Sequence, residues 1–148
     1  MLTYLRRNQK RRKQQMIILN KGETTTFVAT LWELSTLTTP YYLFVFTSSQ
    51  TKVSYYTIIA NTSTNVARYN KFNFTEGVND ALNGSLILGE SGFYIYTAYE
   101  QSSSTNLDPT LATGVVEYGK MKLMDSADSP DFTQHTVSPS TNIVYNPS

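Results

Sequence analysis

The chain has 148 residues, enough for one domain with extensions, and its lack of cysteine excludes disulfides, thiol catalysis and Cys-based zinc sites. The net charge of +1 joins unlike parts: residues 1–15 carry six cations and no acid, and residues 16–148 carry six Lys/Arg against eleven Asp/Glu, hence −5. No apolar run approaches the ~20 residues of a membrane span, and the N-terminus lacks the apolar stretch and cleavage site of a signal peptide.

The cations of the arm are Arg6, Arg7, Lys10, Arg11, Arg12 and Lys13. A segment this polar cannot bury enough apolar surface to order itself, so its ordering calls for a partner. Such a cluster binds phosphates with salt-sensitive affinity, or lies in an acidic protein groove where Arg pairs with carboxylates in bidentate fashion. As a helix the arm would be about 22 Å long, with Leu2 and Leu5 as a small apolar anchor.

Beyond the arm, eleven Tyr and seven Phe, with many Thr, Val and Ile and no Ala/Leu run at helical spacing, favour an all-β domain over residues 16–124. MIILN (16–20) is the first strand signal. Residues 24–32 alternate, with Phe27, Ala29 and Leu31 on one face and Val28, Thr30 and Trp32 on the other. Tyr41–Ser48 is apolar on both faces, as a central strand is, and the short connection after it predicts a hairpin with residues 53–60. There Val53, Tyr55, Thr57 and Ile59 share a face.

A short strand around Tyr69, Phe72 and Phe74 follows, then an Asn83-Gly84 turn before SLILG, and a further turn at residues 90–92 before Phe93–Glu100. In the last strand, Gly114–Leu123, alternation directs Lys120 and Lys122 outward and Met121 and Leu123 inward. Seven to eight short antiparallel strands make an Ig-like β-sandwich. Its corner before the penultimate strand nominates Tyr94 for the hydroxyl that bonds back to the backbone. Residues 125–148, with three prolines, form an extended tail that reaches roughly 80 Å at full stretch. Ile143, Val144 and Tyr145 make it a strand former that adds either to a neighbour's sheet edge or to its own domain.

Catalytic constellations are scarce. The sole histidine, His135, has no Cys partners and sits in the polar tail, where a solvated or packing role is its natural one. Asp125, Asp128 and Asp131 lack the spacing and closing Glu of a calcium loop and read as a solvated acidic turn. Glu117 stands alone in an apolar strand, and no spacing nominates a carboxylate pair. Gly84, Gly89 and Gly92 suit turns, and no phosphate-binding loop precedes a helix. Glycosylation-type triplets at Asn61, Asn73 and Asn83 arise readily in a chain this rich in Asn and Thr. Aromatics can stack bases, but the acidic body opposes nucleic acid, leaving a Tyr/Phe core or subunit interface as their use.

From Met16 onward the sequence resembles small β-rich virion proteins of tailed bacteriophages, especially crAss-like phages of Bacteroidetes hosts. The likeness rests on residues 16–48, ARYNKFNFTE (67–76), SGFYIYTAYEQSSSTNLDPT (91–110), VVEYGKMKL (115–123) and TNIVYN (141–146). Similar proteins begin near MIxLNKG, so residues 1–15 depart from the pattern as an added arm.

The resemblance implies a non-enzymatic auxiliary capsid protein, either decorating the shell or anchoring a head fibre. It would use no cofactor and no metal, be assembled in the host cytoplasm and reside in the virion. Its partners would be the major capsid protein, other virion proteins and copies of itself, with no membrane. The arm cations would dock electrostatically, and Ile143, Val144 and Tyr145 would make strand-type contact. A neck or tail connector, or an internal protein touching DNA through the arm, are the alternatives.

Overall fold

Residues 16–125 are described by the structure, a computed structural model. The arm residues Arg6, Arg7, Lys10, Arg11, Arg12 and Lys13, the tail residues Ile143, Val144 and Tyr145, and Asp128, Asp131 and His135 lie outside the described residues.

Runs of β-branched and aromatic residues between turn formers become eight strands: β1 (Met16–Asn20), β2 (Thr24–Ala29), β3 (Tyr41–Ser48), β4 (Ser54–Ile58), β5 (Asn70–Glu76), β6 (Ser85–Leu86), β7 (Gly92–Gln101) and β8 (Gly114–Met124). They form a five-stranded sheet in the order β1-β8-β7-β3-β4 and a three-stranded sheet in the order β2-β5-β6. The result is an all-β sandwich. Inward-facing residues of both sheets make one core, in which Phe44 meets Phe27 and Phe72 edge-on at centroid separations of 5.7 and 5.1 Å. Each such aromatic pair adds roughly 0.5–1.5 kcal/mol beyond its area burial.

The central position of β3 accounts for its double-sided apolarity. Tyr42, Phe44 and Phe46 enter the core, while Leu43 and Val45 are buried on the opposite side, flanked through the register by Tyr99, Thr97, Ile58 and Tyr56. The β3–β4 hairpin forms as expected. The Tyr94 hydroxyl donates to the Glu90 carbonyl at 2.7 Å, which makes the corner the sequence nominates. Met121 and Leu123 are buried, and Lys120 and Lys122 face away from the core.

The expectation of uniformly antiparallel strands is corrected at two pairs. β1 runs parallel to β8, and β6 parallel to β5. β1 and β8 come from opposite ends of the domain, so no tight turn forces an antiparallel sense on them. The strand expected over residues 24–32 ends at Ala29, because Asn70 Oδ1 captures the N–H groups of Leu31 and Trp32 at 2.9 Å each. Trp32–Leu34 turns instead as a short 3-10 helix. SLILG contributes only two strand residues, since the Leu88 N–H leaves the ladder for Glu76 Oε1.

β8 carries a β-bulge opposite Ala98 and Tyr99. Beyond it Gly119 faces Tyr96 across the pair, and a Cβ there would lie 2.9 Å from the Tyr96 ring. Glycine is what lets that ring approach the strand so closely.

Candidate functional site: a pinned loop end and an apolar sheet face

The register places three connections together. Ala29 pairs with Asn70, Tyr41 with Gln101, and Gly114 with Glu100, so segments 30–40, 59–69 and 102–113 gather at one end of the sandwich. Loops at such an end carry binding residues in many β-sandwiches, because the strands hold them rigidly while leaving their side chains free.

Polar residues at or near the strand ends, three of them buried, hold these loops by their backbones. Glu100, 4% exposed, accepts from the Thr36 N–H (2.9 Å), the Thr36 hydroxyl (2.6 Å) and the Leu37 N–H (3.3 Å). Gln101 donates to the carbonyls of Ser103 and Asn106 and accepts from the Asn106 amide. Asn70 fixes Leu31 and Trp32, and Asn61 accepts from the N–H groups of Ser63 and Lys71 at 3.0 Å each. Burying a carboxylate is costly unless hydrogen-bonded, and Glu100 has that compensation in full. Asn70 Nδ2 is the exception: it is buried beside the Tyr42 hydroxyl without a well-formed hydrogen bond. Burial pushes the Tyr42 phenol above its ordinary pKa, opposed by its hydrogen bond with Ser35 and assisted by the charge of Glu100.

Between the first two loops runs a half-open groove of about 470 Å³. Trp32, Thr38, Thr39, Pro40, Tyr41 and Asn61 line it, over a floor that includes Tyr42 and Ile59, and none of its lining residues is charged. Among the described residues, the Trp32 indole N–H, the hydroxyls of Thr38, Thr39 and Tyr41, and Asn61 Nδ2 make no hydrogen bond.

The outer face of the five-stranded sheet is the second feature. Met16, Lys120 and Ile95 form one cross-strand row, and Ile18, Lys122 and Phe93 the next. Met16, Ile18, Phe93 and Ile95 are each about half exposed, and Tyr118 more so. The Lys122 ammonium sits 5.6 Å from the Phe93 ring centre, so this face is cationic at its centre and apolar around it. A shallow hollow of about 330 Å³ opens here against Met16, Phe93, Ile95 and Lys120. β1 is an edge strand of the sheet and follows directly on residue 15.

The carboxylates singled out in the sequence hold structure. Glu117 lies in phase with the inward Met121 and Leu123 and accepts from the Tyr96 hydroxyl. Burial first, then this bond, raises the Tyr96 pKa far above its ordinary value. Asp125 pairs with Lys21 at 3.7 Å and accepts from Ser91 at 2.8 Å. Among the described residues no cluster of His, Cys, Asp or Glu is arranged to hold a metal. No described helix is long and apolar enough to cross a membrane. Asn61 and Asn83 use their side chains in local hydrogen bonds, and Asn73 accepts across the β2–β5 pair from the Thr26 hydroxyl.

Sequence reasoning missed Asn70, Glu100 and Gln101, and with them the groove. A signal was present at two of them: Asn70 is in phase with inward Phe72 and Phe74, and Glu100 with inward Tyr94, Tyr96 and Ala98. A polar residue on the core phase of a strand must find partners, here the loop backbones. No protein-family model matches the chain, and a search of curated proteins finds no match.

Proposed function

We propose that this chain is an auxiliary capsid protein of a tailed phage, a structural component that docks on the major capsid protein. The carrying observation is the sheet face of Met16, Ile18, Phe93 and Ile95 around Lys120 and Lys122, continuous through β1 with six cations in residues 1–15. An apolar patch on an edge-strand face suits association rather than solvent. The adjoining arm supplies charge for an acidic groove on the shell. The sequence resemblance from Met16 onward supports the same reading. Arg6, Arg7, Lys10, Arg11, Arg12 and Lys13 would dock electrostatically, with Ile143, Val144 and Tyr145 as strand-type contacts. Repetition over a symmetric shell turns weak contacts into avidity.

The charge split favours one second reading, a virion protein whose arm contacts packaged DNA while its acidic body is repelled. Deleting residues 1–15 and complementing particle assembly separates the two. Loss from purified particles with an intact β circular-dichroism spectrum, and no salt-steep DNA binding by the full chain, supports docking. Normal incorporation of the truncated chain overturns it. Copy number then tells shell from connector: about a dozen or fewer copies mark a symmetric ring.

A further inference from the structure

The groove at the loop end is distinct from the sheet face and unused by the docking reading. We propose that it binds a neutral saccharide, stacked on Trp32 and Tyr41 and hydrogen-bonded through Thr38, Thr39 and Asn61.

Three observations carry this. First, about 470 Å³ lies within the range of small-ligand pockets, and the lining combines three aromatic residues, Trp32, Tyr41 and Tyr42, with Pro40. A pyranose has an apolar C–H face bordered by hydroxyls, so it requires an aromatic surface with polar groups at the rim. Second, the lining residues carry such groups, without hydrogen bonds among the described residues: the Trp32 N–H and Asn61 Nδ2 are donors, and the hydroxyls of Thr38, Thr39 and Tyr41 can both donate and accept. Third, among the described residues no charged side chain lines the groove, so it offers no attraction of the kind a phosphate, a uronic acid or a nucleic acid would need. A proline-rich peptide also favours aromatic grooves, but it offers mainly carbonyl acceptors. The mixed donors and acceptors here match a polyol better.

The groove is also prepared. Asn70 holds the backbone of Trp32, and Glu100 holds that of Thr36 and Leu37, two residues before Thr38 and Thr39 in the case of Thr36 and Leu37 respectively. Loops fixed before binding do not have to be ordered by the ligand, which lowers the entropic cost of association.

Trp32 is the only tryptophan in the chain, so its emission reports the groove alone. The full-length protein is titrated with neutral trisaccharides of α- and β-linked glucose and of N-acetylglucosamine, with calorimetry in parallel. A saturable change in Trp32 emission with at least one of them is the expected result. Tyr41→Ala, at a half-exposed position, should weaken that binding about tenfold or more while leaving the β spectrum unchanged. Trp32→Ala should abolish the calorimetric signal. No saturation up to about 10 mM of any of these sugars overturns the proposal, as this is tenfold above a ~1 mM dissociation constant. So does binding that survives Tyr41→Ala, tighter binding of an anionic trisaccharide, or saturation by a proline-rich decapeptide alone.

Discussion

Replacing Glu100 tests the pinning of the loop end most directly. Its two carboxylate oxygens receive the Thr36 N–H, the Thr36 hydroxyl and the Leu37 N–H in a site that is almost fully buried. In Glu100→Gln the amide oxygen can take the Oε2 position and keep both N–H donors. The Thr36 hydroxyl then rotates to accept from the new NH₂ group. Only the charge assistance is lost, so the cost is about 1–2 kcal/mol. Glu100→Ala removes every acceptor and leaves two part-buried N–H groups and the Thr36 hydroxyl without that partner, roughly 1–3 kcal/mol for each N–H, for a cost near 3–5 kcal/mol. At about 4–8 °C per kcal/mol in a domain of this size, the two variants separate clearly in thermal melts. Amide hydrogen exchange supplies the local readout: Thr36 and Leu37 should lose protection in the alanine variant well before β3 or β7 does. Equal destabilisation by Gln and Ala would refute the hydroxyl-rotation argument. Unchanged exchange at Thr36 and Leu37 would refute the clamp itself.

Two further outcomes follow from the core. Gly119→Ala should cost about 1–3 kcal/mol in urea unfolding with little change in slope. Its Cβ meets the Tyr96 ring at 2.9 Å, and moving that ring strains the bond to Glu117. Alkali should unfold the domain between about pH 10 and 12. Burial first, then the charges of neighbouring groups, pushes the Tyr94 phenol up to about 12 from 10.0, and Tyr96 shifts further the same way. The folded state therefore holds these protons more tightly than the unfolded chain does. Their stabilisation is complete below pH 10 and falls as pH rises toward the folded pKa. Tyrosinate absorbance should rise together with loss of the β spectrum. Full ionisation near pH 10 with the fold retained would contradict it.

The strands were legible where burial imposes a period of two. The bounds of β3 match the apolar run in the sequence, and the inward set Phe27, Ala29 and Leu31 is buried as the alternation requires. Tyr94 was legible because its corner is local, four residues from Glu90. Glu100 grips residues 63 and 64 positions away, and Asn70 grips others nearly forty away, so no local pattern announces them. The parallel β1–β8 pair was hidden for a related reason: alternation states which face a strand buries and says nothing of the sense in which it pairs. The groove follows from these long-range contacts and shares their obscurity.

That parallel pair has a mechanical consequence. Tension between residues 15 and 125 would enter at the Met16 end of β1 and leave at the Met124 end of β8, the two opposite ends of the paired segment. The registered pairs from Met16–Lys120 to Asn20–Met124 are thus loaded in shear, all together, rather than peeled apart one at a time. A pull that would unzip a terminal hairpin bond by bond must here break the whole ladder at once, and the rest of the sandwich stays shielded behind it.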